Sequence, residues 1–271
     1  MRVLGIFPYP GMESDMIFDT HAHYDDSDFD LDREELLSQM KAAGISYIVN
    51  IGANLESTKR SIELAKQYDF IYAAVGVHPS DTTELNEETF VWLKEQCNAP
   101  KVVAVGEIGL DYYWDEPERA IQKEWFARQI ALAREVKLPL VIHSRDAVQD
   151  TIDIMKSEKA AEAGGILHCF SYTKETAKTF LDMDFSFGIG GVVTFKNAKK
   201  LKEAVEYIPI EKIVIETDCP YLSPEPNRGK RNSSLNLPYV IQAISELKNL
   251  PEEEVMRITY ENAKKIYRIE D

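Results

Sequence analysis

The stretch IFDTHAHYD, residues 17–25, opens with an apolar run and then sets His21 and His23 two positions apart, close to Asp19. In an extended backbone, residues i and i+2 point to the same side, so a strand here ends on two paired imidazoles. An open, doubly wound α/β sheet carries a glycine-rich turn after its first strand. In this chain that place holds DTHAHYD. The pattern of the remaining strands and helices decides between an open sheet and a closed barrel.

Outward from this stretch the chain alternates. Short β-rich runs lie at 16–21, 46–51, 70–77, 102–109, 138–144, 164–170, 185–191 and 212–218. Most are continuous apolar segments, as expected of parallel strands buried on both faces. Helical periodicity separates them. Leu36, Met40 and Ala43 recur from Asp32 up to Gly44, and further helices pass through Leu64 and Ala65 and through 90–96. Another opens at Pro117 with Ile121, Trp125, Leu132 and Val136 on one face. Helices follow at 146–158, 174–182 and 198–206, and two more close the chain after a proline-rich loop. Eight βα units in 271 residues predict a single-domain (β/α)8 barrel, also called a TIM barrel, over residues 16–271. Residues 1–15, broken by Pro8 and Pro10, lack the apolar core and cleavage site of a signal peptide. They are expected to be an N-terminal extension, a tag remnant or an early start.

With 44% hydrophobic residues the chain has ample core, yet no apolar run approaches the roughly 18 residues of a membrane span, so a soluble protein is expected. A net charge of −15 argues against a basic face that coats nucleic acid, but not against a local cationic pocket, because exposed charges are screened beyond about 8 Å. Cys97, Cys169 and Cys219 form no disulfide framework and suit a reducing cytoplasm. Cys169 and Cys219 directly follow His168 and Asp218, so strand alternation predicts that both thiols face away from the site.

All five histidines (His21, His23, His78, His143 and His168) fall at or just past the C-terminal ends of strands, as do Glu107 and Asp218. In a closed barrel that rim is where active sites are built. One strand-end histidine would be an ordinary hydrogen-bonded residue; five together are a ligand set for divalent transition metals. One metal is expected on His21, His23 and Asp218, a second on His143 and His168, with Glu107 bridging. Two dications against two carboxylates would leave a local surplus of about two positive charges, which suits a phosphate ester. Such sites activate water and clamp the attacking and leaving oxygens, with Asp218 placed to accept the proton. Asp19 is expected to back an imidazole N–H, and His78 and Arg145 to meet substrate phosphate. There is no nucleophile elbow, P-loop or dinucleotide fingerprint.

At these residues the chain resembles the TatD family of metal-dependent deoxyribonucleases. The segments are DTHAHYD (19–25), VGVHP (75–79), VGEIGLDYY (105–113), IHSRDA (142–147), LHCFS (167–171), ETDCPYL (216–222) and RGKRN (228–232). The resemblance implies the same barrel, a divalent-metal centre on His21, His23, Glu107, His143, His168 and Asp218, and hydrolysis of DNA, often from 3′ ends. Related amidohydrolases often bridge their metals with a carbamylated lysine on strand 4. Here that lysine, Lys101, stands at the wrong end of the strand and Glu107 at the rim, which favours the TatD branch. Where the family pattern continues RGKRN with Glu-Pro, this chain has Ser233 and Ser234, which puts the path of that loop in question.

The expectation is thus a cytoplasmic two-metal hydrolase (zinc, manganese or magnesium) acting on DNA, with Arg228, Lys230 and Arg231 holding the nucleic-acid backbone. Hydrolysis of a small ester, lactone, amide or aminoacyl-tRNA at the same metals is the alternative. A metal-binding regulator without turnover would have no use for Asp218.

Overall fold

The computed structural model describes residues 17–270; the 1–15 extension and Met16 lie outside the described residues. The eight strands are β1 (Ile17–Ala22), β2 (Ile45–Ile51), β3 (Ile71–Val75), β4 (Val102–Asp111), β5 (Leu140–Arg145), β6 (Gly165–Leu167), β7 (Ser186–Ile189) and β8 (Ile213–Ile215). All neighbours pair in parallel in the order β1 to β8. A parallel bridge between Ala22 and Cys219, with the His23 N–H donating to the Cys219 carbonyl at 2.9 Å, closes β8 onto β1. The result is a (β/α)8 barrel.

The helices are α1 (Arg33–Ser38), α2 (Leu55–Gln67), α3 (Glu87–Gln96), α4 (Arg119–Val136), α5 (Val148–Ser157), α6 (Lys174–Leu181), α7 (Lys199–Tyr207), α8 (Leu237–Lys248) and α9 (Glu252–Tyr267). Most strands are shorter than expected. β6 and β8 have three residues each, so His168 and Asp218 lie beyond their strands, in the turns that leave the rim. β1 keeps its expected length, β2 gains one residue, and β4 gains two, its ten residues reaching Asp111. The helix expected over 32–43 is instead α1 plus a 3-10 turn at Lys41–Ala43, stopped by Gly44 at φ 79. The helix expected from Pro117 begins at Arg119.

Outside the barrel, Phe18 on β1 meets Tyr260 and Tyr267 of α9, with ring centroids at 6.4 and 5.8 Å. Inside the α4 layer, two glutamines two helical turns apart are fully buried. Gln129 accepts from the Val77 N–H at 2.9 Å and donates to the Val77 carbonyl at 3.1 Å. Gln122 does the same at Asp111, at 2.9 and 3.2 Å. One helix thereby holds the backbone next to His78 and the last residue of β4. At Gly109 (φ 150) any side chain would strike the His143 carbonyl, and this close approach brings β4 against β5 at the rim. No helix among the described residues is long and apolar enough to cross a membrane.

Candidate metal centre

β1, β4, β5 and the turns after β6 and β8 bring six side chains together. The Nε2 atoms of His21 and His23 lie 3.1 Å apart. Glu107 Oε2 is 3.5 and 3.9 Å from them, and Asp218 Oδ1 is 3.6 and 3.3 Å away. Four donors held about 2.1 Å from one tetrahedral ion are about 3.4 Å apart. These spacings straddle that value. The other oxygen of Glu107, Oε1, faces His143 Nδ1 at 2.8 Å and His168 Nε2 at 3.1 Å. One carboxylate thus looks into two donor groups, one with each oxygen.

The outward nitrogens of two imidazoles are hydrogen-bonded, which fixes which of their nitrogens faces inward, and that of a third lies near a carboxylate. His23 Nδ1 donates to the Ile51 carbonyl at 3.1 Å. His143 Nε2 donates to Asp111 Oδ2 at 3.1 Å. His168 Nδ1 lies 3.2 Å from Glu216 Oε1. His21 Nδ1, His168 Nδ1 and Glu216 Oε2, all buried, make no hydrogen bond, so the approach of His168 to Glu216 is an ion-pair contact alone. The His21 ring is stacked on His168 with centroids 3.6 Å apart.

Burial alone would make Glu107 hard to ionise, but the imidazoles of His168, His143 and His21 outweigh it and hold the carboxyl well below its usual range. Asp218 is likewise lowered, against burial, chiefly by His23. Burial lowers His143, yet Asp111 and Glu107 raise it above the ordinary value. Imidazole nitrogens and carboxylate oxygens packed this tightly, and aimed at a shared space, suit divalent transition metals.

Glu216 and Asp111 are additions that the sequence reading missed. Each had a signal there: Glu216 is two residues before Asp218, and Asp111 four after Glu107, so both share strand parity with a rim residue. Gly188 on β7 makes room for Glu216; a Cβ there would stand 2.0 Å from Oε2. With these two carboxylates added, two dications would be neutralised. The expected local surplus of positive charge is corrected accordingly.

Three further expectations change. Asp19 touches no imidazole ring. Its Oδ1 accepts from the backbone N–H groups of His21 and Thr217 at 3.3 and 3.0 Å, and its Oδ2 from the hydroxyls of Thr217 and Ser234 at 2.7 and 2.6 Å. It therefore ties β1 to the turn after β8. Cys169 does not face away. Its φ of 47 breaks the strand alternation, and its thiol lies within 4.8 Å of donor atoms of His168 and Asp218. Cys219 is fully buried and packs as expected. Arg231 is engaged within the chain, paired through both terminal nitrogens with Asp32 at 2.8 and 2.5 Å and lying over the Phe29 ring. All three cations of the loop are exposed, but Arg228, over the Phe195 ring and 4.0 Å from Glu225, and Lys230, donating to Asn227 at 3.3 Å, lack the two-pronged carboxylate pairing of Arg231.

The Ser233–Ser234 departure has a clear outcome. Ser234 is fully buried between Asp19 and Tyr24, whose hydroxyl lies 2.9 Å away, and Asn232 donates to the Thr217 carbonyl at 2.9 Å. The loop is pinned to the base of the site. His78 packs its ring 4.4 Å from His143 and accepts from the Ser80 N–H at 3.2 Å. Burial, then the neighbouring His143, pushes its pKa down to about 3, so the ring is neutral and presents an N–H rather than a charge. Arg145 is exposed and lies over the Tyr113 ring.

Residues 18–268 match the sequence pattern of the family described as TatD related DNase. The chain belongs to the TatD family. Among TatD relatives, an uncharacterized metal-dependent hydrolase of Bacillus subtilis, YabD, is 49% identical, covering 94% of this chain and all of the relative. A Pectobacterium parmentieri protein named 3′-5′ ssDNA/RNA exonuclease TatD is 31% identical over 93% of this chain and all of its own length. The crystal structure of YjjV, a TatD homologue from Escherichia coli K12, superposes with a TM-score of 0.87 at 28% identity, covering 94% of this chain and 99% of that one. This TatD protein is accordingly a metal-dependent hydrolase.

Proposed function

We propose that the centre holds two divalent metals and hydrolyses phosphodiester bonds of DNA, working inward from single-stranded 3′ ends. The observation that carries this is Glu107, whose two oxygens face two separate donor groups at one rim. His21, His23 and Asp218 would complete the first site, and His143 Nδ1 and His168 Nε2 the second. Bound there, the metals supply Lewis acidity toward water and the phosphate oxygens. Asp218, with 17% of its side chain exposed, reaches from the donors to the open rim and takes the proton of the attacking water. The neutral His78 offers an N–H to a phosphate oxygen, and Arg145, Arg228 and Lys230 offer charge to the backbone on either side. Four imidazoles favour zinc or manganese over magnesium. The name of the Pectobacterium relative supports single strands and 3′ ends. Three unpaired cysteines suit a cytoplasmic protein.

The test is turnover of end-labelled single-stranded DNA by protein reconstituted with zinc, manganese or magnesium, with small esters and aminoacyl-tRNA in parallel. Stepwise shortening from the 3′ end is the expected result. Inert DNA beside a cleaved ester would overturn the nuclease reading while keeping the hydrolase.

A further inference from the structure

The loop after β4 carries two aromatic side chains that the metal centre does not use. Tyr113 is 56% exposed and Trp114 65% exposed. Their rings meet edge to face, 5.1 Å apart at 88°. The Arg145 guanidinium lies 3.8 Å over the Tyr113 ring, and no carboxylate among the described residues is within ion-pair distance of it. An indole this exposed contributes nothing to the core, and hydrophobic burial would hide it. Next to an unpaired guanidinium it is suited to a flat, electron-rich partner linked to a phosphate.

The loop is locked to the site through one carboxylate. Asp111 Oδ1 accepts from the backbone N–H groups of Tyr113 and Trp114 at 2.9 and 3.1 Å, while Oδ2 accepts from His143 Nε2 at 3.1 Å. A single side chain therefore spans from the donor His143 to the aromatic turn. Gln122 in turn fixes the Asp111 backbone. The aromatic pair keeps a set position relative to Glu107, His143 and His168.

We infer that Tyr113 and Trp114, with Arg145 on the Tyr113 ring, form a platform on which the base of an unpaired nucleotide stacks, placing its phosphate at the metal centre. This deepens the nuclease reading and rests on it. A base inside a duplex has both faces covered by its neighbours, so the platform takes a base that is free to leave the stack, as along an unpaired strand. Every base has a π-face, so it does so without regard to sequence. The net charge of −15 leaves little long-range attraction for DNA, and stacking is a short-range hold that does not need it.

The experiment is fluorescence anisotropy of 5′-fluorescein-labelled octathymidylate, its linkages phosphorothioate to slow turnover, with the manganese-loaded protein, all six donors in place. Tyr113→Ala/Trp114→Ala should weaken binding about 5- to 150-fold, the loss that one stacked base accounts for. Trp114→Phe should restore most of it, and melting temperature and metal content should match the parent. Replacing the terminal base of the strand by a baseless sugar should cost the parent a similar factor and the double variant little. Equal binding by parent and double variant would overturn the platform and leave the nuclease reading standing. No binding by the parent, with no cleavage of unmodified DNA by it, would overturn the nuclease reading itself.

Discussion

At His23, burial disfavours a positive charge while Asp218 and Glu107 favour it, and the carboxylates win, lifting the pKa from 6.5 to about 9 in the metal-free cluster. The raised value means that the charged pair stabilises the metal-free fold fully below pH 6.5, and that this contribution is lost as pH rises through about 9. A metal needs the same nitrogen unprotonated, so loading at pH 7 must expel a proton. Affinity for zinc or manganese should rise by up to about tenfold per pH unit from about 7 toward about 9 and then level off. Calorimetry in buffers of differing ionisation enthalpy should show about one proton released per first-site metal at pH 7. A flat affinity over that range would contradict the assignment of His23. The donors themselves were legible in the sequence because residue type and strand-end position are local properties. The direction of Cys169 was not, because it depends on one left-handed backbone angle just past β6.

Among the elements, α4 does more than cover the barrel. Its apolar face was readable from periodicity, but Gln122 and Gln129 stand in that buried layer and satisfy backbone groups at two strand ends. Buried donors without partners cost about 1–3 kcal/mol each, which is why amides are tolerated there. Gln122→Met keeps the bulk and removes both hydrogen bonds to Asp111. It should destabilise the protein by about 1–3 kcal/mol in urea denaturation and loosen the second donor group, whose His143 leans on Asp111. A variant as stable as the parent would mean that another group takes over at Asp111. The RGKRN loop shows the same principle. Its basic residues suggested a surface for nucleic acid, yet Asn232 and Ser234 turn inward and Arg231 closes on Asp32. Only the exposed part of the loop is left for a substrate.

For the molecule as a whole, the donors come from β1, β4, β5 and the turns after β6 and β8, so bound metal cross-links most of the barrel's rim. A ligand present at about a hundredfold over its Kd adds about 2.7 kcal/mol to the folded state. In a domain of this size that corresponds to roughly 5–10 °C in Tm for each site. Chelation should lower Tm by that amount in scanning calorimetry, and readdition of the metal should restore it. An unchanged Tm would show that the cluster holds no metal. Charge operates differently at this scale. Asp111 and Glu216 bring the carboxylates of the centre to four with Glu107 and Asp218, enough to offset two dications. Capture of an anionic substrate then depends on contacts at the rim rather than on a net field.

By itself the sequence determined the alternation of short apolar strands with amphipathic helices, the closure this implies, and the chemical identity of the rim. These are properties of neighbouring residues, and a period of two or of 3.6 makes them visible. The tertiary structure alone decided which nitrogen of each imidazole faces the centre, that Asp111 and Glu216 back His143 and His168, and that Asp19 holds β1 to β8 rather than a ring. Those outcomes are distances of about 3 Å between groups up to about 200 residues apart in the chain. Barrel register and close packing set such distances, and no local pattern encodes them.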